Sequence, residues 1–228
     1  MIPPLSVIIP ALNEEKALPR TLERLFAQDG GFEVILVDGG SGDRTRAIAE
    51  TCPGVRVITA PRGRAAQMNA GAARAQGDWL LFLHADTLLP AGALAAIQGL
   101  DEAVLAGGFR HRFSGSGFSL RLISFMHNLR CRSTRVIYGD QAFFIRRRLF
   151  ESLGGFPNQP ILEDVAFCET LVKMTRPVLL DLTVVTDARK FIRNGVWRSL
   201  YQVAVILTCV ELRRPIPAAA MKFFQDVR

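Results

Sequence analysis

The first ninety residues alternate short β-rich apolar runs with amphipathic stretches of helical length, joined by loops of a few residues, and this alternation leaves few folds open. Leu5-Ser6-Val7-Ile8-Ile9-Pro10 reads as a strand closed by proline, and Asn13-Glu14-Glu15 opens a helix with Leu18, Leu22 and Leu25 on one face. Glu33 to Asp38 repeats the strand, followed by the Gly39-Gly40-Ser41-Gly42 turn and a helix from about Asp43 to Thr51. A third strand over 55–60 and a helix over 64–75 lead to Trp79-Leu80-Leu81-Phe82-Leu83, a continuous apolar run suited to a strand buried on both faces. Four such units predict an α/β fold with a mostly parallel central sheet covered by helices on both faces.

The fourth strand delivers His84 and Asp86 at its carboxyl end, where open α/β sheets bind ligands. An i, i+2 pair in extended backbone points both side chains the same way, and a carboxylate there can hold a divalent metal against a diphosphate. Asp86-Thr87 can equally cap a helix beginning after Pro90.

Beyond Gly99 the rhythm loosens. A half-exposed strand is expected over 107–113, a helix over 119–130, and a strand over 141–146 after the Tyr138-Gly139-Asp140 turn. The breaker cluster Gly154-Gly155-Phe156-Pro157-Asn158-Gln159-Pro160 precedes Glu163-Asp164, which open a helix to about Met174. A strand over 178–185 and a helix over 196–212 complete the pattern, with neither an interdomain linker nor an internal repeat.

The net charge of +7 is uneven: 9 Lys and Arg face 10 Asp and Glu in residues 1–100, against 19 and 11 in residues 101–228. A basic face in the second part suits an anionic substrate, a membrane surface or nucleic acid, and equally a solvated surface with no partner. Cys52, Cys131, Cys168 and Cys209 show neither zinc spacing nor a dense disulfide framework, and no basic, apolar signal segment opens the chain, so a cytoplasmic protein is expected. Val203 to Val210 is far shorter than the roughly 20 residues that span a bilayer, and can pack in the core or lie on a membrane surface.

Several landmarks now stand in order at strand ends. Val7-Ile8-Ile9-Pro10-Ala11-Leu12-Asn13-Glu14 resembles the opening strand and PxxNE loop of family-2 glycosyltransferases of the GT-A fold. Val37 to Thr45 is similar to the VDxxSxDxT element, Arg62-Gly63-Arg64 with Asn69 and Gly71 to the RGxxxxxNxG stretch, and Leu81 to Thr87 to the LHADT run of the small bacterial selenodomain-associated transferase 2 subgroup. The resemblance implies one Rossmann-like GT-A domain over 1–228, with a nucleotide-binding part over 1–100, an acceptor and catalytic part over 101–190, and a helical tail over 191–228. It further implies an inverting transferase that moves a sugar from a UDP- or GDP-linked donor to an acceptor hydroxyl, assisted by Mn2+ or Mg2+. Nucleic acid is not expected as a partner, and the C-terminal region leaves peripheral membrane contact open beside packing in the core.

Chemistry and resemblance together assign roles. A nucleotide sugar presents a base edge, a ribose diol and a diphosphate, so Asp38 with Asn13 and Glu14 suits the nucleoside, and the glycines Gly39, Gly40 and Gly42 allow close backbone approach. Pro10, Arg62, Asn69, His84, Ala85 and Asp140 join the donor site by resemblance, with Arg62 and Arg64 able to touch phosphate or simply start a solvated helix. Asp43 suits helix capping. Asp86 matches the last acid of the family's metal-binding DxD and His84 replaces the first; imidazole suits manganese better than magnesium, and a packed strand-end histidine fits as well. His111 and His127, without an acidic neighbour in sequence, are expected to be structural.

Gly155-Phe156-Pro157 with Glu163-Asp164 resembles the acceptor-side GGF…ED element, in which the second acid is the catalytic base. The same acids can instead complement a helix dipole. Arg189 or Lys190 can stabilise the departing diphosphate, although Ala188-Arg189-Lys190-Phe191 departs from the family's QxxRW and so argues against processive synthesis. Two rivals stand beside the transferase. A sugar-phosphate nucleotidyltransferase would carry a basic, glycine-rich loop where Pro10 to Glu14 stand, and a non-catalytic nucleotide-sugar-binding protein would explain His84. A dinucleotide oxidoreductase fits poorly, because Thr45 occupies the third glycine position and the loop follows the second strand.

Overall fold

The computed structural model describes residues 4–193, 195–212 and 214–220. Residues 1–3, 194, 213 and 221–228, the last within the anticipated tail, lie outside the described residues, as do the side chains of Lys190, Leu207, Val210 and Glu211.

Apolar, β-branched runs form four parallel strands, β1 (Leu5–Ala11), β2 (Glu33–Asp38), β3 (Val55–Thr59) and β4 (Trp79–Phe82). Helices α1 (Leu18–Phe26), α2 (Thr45–Glu50), α3 (Arg64–Ala72) and α4 (Ala93–Gln98) follow them in turn. The spatial order β3-β2-β1-β4 reverses direction between β1 and β4, the crevice where doubly wound sheets take ligands. Pro10 is tolerated in this central strand because the β4 ladder stops at Ile8, so its missing N–H leaves no gap there.

The remaining strands are β5 (Thr87–Leu88), β6 (Ala106–Phe113), β7 (Phe144–Arg146) and β8 (Val178–Thr186). They extend one eight-stranded sheet in the order β4-β7-β6-β8-β5. Here the parallel rule breaks: β7 runs antiparallel to both β4 and β6, β5 antiparallel to β8, and only β6 and β8 are parallel. The expected strand over 141–146 shortens to β7, since a 3-10 turn, Gly139–Gln141, takes its first residue. Helices α5 (Phe118–Thr134), α6 (Arg147–Ser152), α7 (Glu163–Leu171), α8 (Arg189–Arg193) and α9 (Val196–Glu211) complete the chain; α6 and α8 had no sequence signal. Among the described residues, no helix is long and apolar enough to cross a membrane.

Alternation along β1 divides the core. Val7 and Ile9 face Leu18, Leu22 and Leu25 of α1, while Ile8 turns to Ala65, Met68 and Ala72 of α3. On that second face Phe82, Phe143, Phe150, Phe156 and Phe167 form a cluster with ring centroids 4.9–6.3 Å apart, which fastens the breaker-rich segment to β4. Helix α3 lies so close that a Cβ on Gly71 would stand 2.4 Å from Ile8 Cγ2 and 3.0 Å from Val37 Cγ2.

Gly71→Ala sets a helix-propensity gain of about 1 kcal/mol against overpacking of about 1–3 kcal/mol. Ile8 and Val37 are fully buried and have nowhere to retreat, so overpacking wins. Thermal unfolding should shift down by about 2–6 °C; an unchanged or raised midpoint would mean that α3 slides freely on the sheet.

Candidate active site

A cavity of about 640 Å³ opens at the carboxyl ends of β1 and β4. That volume suits a ligand of nucleotide-sugar size. Pro10, Ala11, Leu12 and Glu14 border it after β1, Arg62, Arg64 and Gln67 at the start of α3, and His84, Ala85 and Asp86 after β4. The second half of the chain adds Tyr138 and Asp140 from the 3-10 turn, Leu162 and Asp164 at the start of α7, and Thr186 and Asp187 at the end of β8. Its far side is apolar, with Phe113, Ile123, Phe191, Leu200, Val203 and Ile206. Of the anticipated residues, Pro10, Glu14, Arg62, His84, Ala85, Asp86, Asp140 and Asp164 therefore meet around one space.

Asn13, Asp38, Gly39, Asn69, Glu163 and Arg189 are not on that wall. Asp38 is 3% exposed and its carboxylate accepts the N–H groups of Gly40 and Ser41 at 3.1 Å, closing the turn after β2. Asn13, in the left-handed region at φ +55°, accepts the Gly42 N–H at 2.8 Å and donates its own N–H to Ser41 Oγ at 3.1 Å. Gly39 leaves space for Gln67, whose amide donates to the Ala11 and Val37 carbonyls at 2.9 and 2.8 Å and ties β1 to β2. Asn69 exchanges two hydrogen bonds with the Phe156 backbone, at 2.8 and 2.9 Å. Asp43 caps the entry to α2, accepting the Thr45 N–H at 2.9 Å; burial raises its pKa, but hydrogen bonds from Thr45 and Glu15 outweigh this and hold it below the ordinary value.

Arg64 is the ionic centre of the site. Its Nε lies 2.5 Å from Glu163 Oε1, Nη2 is 3.7 Å from Asp164 Oδ2, and Nη1 is 3.2 Å from His84 Nε2. Burial would lower the guanidinium pKa, but the charges of Glu163 and Asp164 raise it further, so Arg64 stays protonated. A guanidinium only donates, so His84 Nε2 presents its lone pair to Arg64 and not to the cavity. That contact places the expected metal-side histidine against Arg64. The extended i, i+2 geometry also gives way: β4 ends at Phe82, and the Thr87 N–H donates to the His84 carbonyl at 3.0 Å, closing a turn. Asp86-Thr87 caps no helix either, since Thr87 lies in β5, with its hydroxyl 3.0 Å from that of Thr186, and α4 begins at Ala93.

Glu163 is fully buried in its pair with Arg64 and holds that arginine in place. Asp164 Oδ2 accepts the Gly139 N–H at 2.7 Å and Oδ1 the Val165 N–H at 2.9 Å. Leu162, before them, adopts φ +58°, a strained conformation for a branched residue that aims the start of α7 at the cavity. Across the space, Glu14 is ion-paired and hydrogen-bonded to Arg189, whose N–H donates to Asp187 Oδ1 at 2.8 Å.

Sequence reasoning missed Arg64 as the hub, Gln67 and the histidine pair. His111 Nε2 is 3.7 Å from Asp140 Oδ2, and His127 Nε2 is 3.5 Å from Asp140 Oδ1. Burial pushes His111 down to about 4, partly opposed by Asp140, so its imidazole is neutral at pH 7. Asp140 sits below the ordinary carboxylate value: burial raises it, but His127, His111, His84 and Arg130 together outweigh the burial. No local signal links these positions, because 13 to 29 residues of chain separate the histidines from the acid.

The chain resembles the PGL/p-HBAD biosynthesis glycosyltransferase of Mycobacterium tuberculosis, 35% identical over 174 residues; the match covers 68% of this chain and 63% of that relative, so it spans under two thirds of the relative's length. The fold is similar to that of the mannosyltransferase PcManGT from Pyrobaculum calidifontis, solved with GDP-Man and Mn2+ (TM-score 0.69, 25% identity, 99% of this chain and 69% of that one). It is also similar to S. aureus TarS solved with UDP (TM-score 0.65, 22% identity, 80% and 60% covered). The sequence model described as glycosyl transferase family 2 matches residues 6–154, about two thirds of the chain, and the chain belongs to that family, with the GT-A fold.

Proposed function

We propose that this chain transfers a sugar from a nucleotide-diphosphate donor to an acceptor hydroxyl, with inversion at the anomeric carbon. One observation carries the reading: Asp86 and Asp164 border the same cavity, with the protonated Arg64 beside Asp164. The whole chain acts as one GT-A domain, with residues 1–100 facing the donor. Pro10, Glu14 and Arg62 flank the nucleotide, and Asp38, Asn13, Gly39 and Asn69 shape the loops that receive it. Asp164 takes the proton of the acceptor hydroxyl as its oxygen attacks the anomeric carbon, while the diphosphate leaves toward Arg64, and Arg189 adds positive charge from behind Glu14, with which it is paired. Glu163 acts by positioning Arg64.

A divalent cation fits beside Asp86, whose half-buried carboxylate borders the cavity, since such ions accept one or two protein carboxylates with the rest supplied by diphosphate and water. When bound, it would neutralise charge on the leaving group. The similar mannosyltransferase solved with GDP-Man and Mn2+ supports both the donor class and the cation.

We further propose that the enzyme works at an anionic membrane surface on an amphiphilic acceptor. Phe118, Leu122, Phe125, Met126 and Leu129 recur at helical spacing along α5, with Phe118 79% and Phe125 62% exposed. The same helix carries Arg121, Arg130 and Arg132 and no acidic residue. Trp197 (72%) and Tyr201 on α9 are exposed beside it, the two helices meeting where Leu120 and Ile123 pack with Phe191 and Val196. The exposed Arg121 and Arg132 edge this apolar row and complement anionic headgroups, while Arg130 turns inward over the Tyr138 ring, and the inner sides of these helices form the apolar wall of the cavity.

Three outcomes are expected. Asp164→Asn should lower kcat by on the order of 10²–10⁴ while retaining nucleotide binding; full transfer by a folded variant would overturn the base assignment. Gly139→Ala places a Cβ 2.7 Å from His84 Nε2 and 3.1 Å from Asp164 Oδ2, and the resulting displacement should cost on the order of 10² in kcat. In flotation assays the protein should rise with phosphatidylcholine vesicles containing phosphatidylglycerol, less so at high salt. Binding that survives Phe125→Ser with Trp197→Ser would sink the membrane reading.

A further inference from the structure

The 3-10 turn and the α5–β6 corner enclose polar atoms that transfer chemistry does not use. His111 Nδ1 and Nε2, His127 Nε2 and Asp140 Oδ1 are buried without a hydrogen-bond partner. Each such atom costs about 1–3 kcal/mol when left unsatisfied, and an ion taking one imidazole lone pair from each histidine and a carboxylate oxygen would offset that cost at three of them, the other His111 nitrogen keeping its N–H. Their separations are too long for hydrogen bonds, at 3.5 and 3.7 Å. The two imidazoles face different oxygens of one carboxylate, His127 facing Oδ1 and His111 facing Oδ2, so an ion held between them needs only a sub-ångström contraction to reach ligand distances of about 2.0–2.1 Å.

From this geometry we infer that His111, His127 and Asp140 bind a divalent transition-metal ion of the zinc type, at a site that does not include Asp86. One ligand atom from each residue lies within 4.8 Å of the others. Two imidazoles and one carboxylate favour zinc, cobalt or nickel over magnesium, which prefers an all-oxygen shell. The ligands are held before any ion arrives. Asn128 clamps the His111 backbone through both its N–H and its carbonyl, at 2.8 and 2.9 Å. The His111 ring stacks on His127 at 5.0 Å and meets the Phe113 edge at 4.5 Å. His127 and Asp140 border the active-site cavity, so the fourth coordination position opens into it and takes water or a phosphate or hydroxyl oxygen of a bound substrate.

Tag-free protein, stripped with chelator and dialysed, tests this without nucleotide. Titration with Co2+ should give one equivalent with visible d–d bands of low-coordinate nitrogen ligation, and Zn2+ should displace it. His127→Leu and Asp140→Asn should each weaken binding at least 10-fold, whereas Asp86→Asn should leave it intact. Zinc-edge absorption of the unmodified protein should show a shell at about 2.0–2.1 Å with two imidazoles, which keeps the test valid if a variant misfolds. No bound equivalent, an oxygen-only shell, or binding that survives both substitutions would overturn the assignment. Because the readout is binding and not transfer, a failed transferase reading leaves it standing, and a failed metal site leaves the transferase reading standing.

Discussion

The ion-paired cluster around Arg64 is the interaction on which the rest of the site depends. It joins the first turn of α3 to the start of α7, 99 residues away, and to His84 beyond β4. Removing one partner of a buried pair costs about 3–5 kcal/mol, since the other charge is left desolvated. Glu163 is fully buried and the Arg64 side chain only 22% exposed, so the cluster lies toward that limit. It ties the start of α3 to the start of α7 beside the cavity, and it leaves a fixed positive charge beside Asp164.

Around that cluster, many of the residues that identify the family build the site without facing it. Asn13 and Ser41, Glu15 and Asp43, and Glu14 and Thr45 lock the loops after β1 and β2 together through side-chain to backbone hydrogen bonds. Two loops leaving parallel neighbours would otherwise splay, because nothing in the ladder continues between them. The glycines between these residues keep room for backbone contacts, and Gln67 seals the strand ends from below. The cavity wall after β1 is therefore made of Pro10, Ala11, Leu12 and Glu14, held by a layer of motif residues behind it.

The opposite wall follows other rules. Helices α5 and α9 present apolar side chains both inward and outward, which a helix packed against one core does not do. Strand β6 passes beneath them and brings His111 to the turn that carries Asp140, a meeting that depends on β6 pairing with β8 and β7 and on nothing local to either residue. Polar groups thus collect at the seam between the parallel and antiparallel parts of the sheet, where strands from both halves end.

The sequence by itself determined the parallel half of the fold. Periodic apolar runs of strand length marked β1, β2 and β3 to within a residue at their ends and located β4, which closes at Phe82, short of the extended backbone expected through Asp86. It also marked Glu14, Asp86, Asp140 and Asp164, since short-range motifs carry polar residues to predictable strand and helix ends. Only the tertiary structure decided what those residues meet. Arg64 on Glu163, Asn69 on Phe156, Glu14 on Arg189 and two histidines around Asp140 are long-range pairings set by strand order, and strand order in a mixed sheet is not written in any local period. The same physics fixed the turn after β2: a carboxylate beside free N–H groups bonds to them, as Asp38 does to Gly40 and Ser41, and no local period shows which face of the turn it closes.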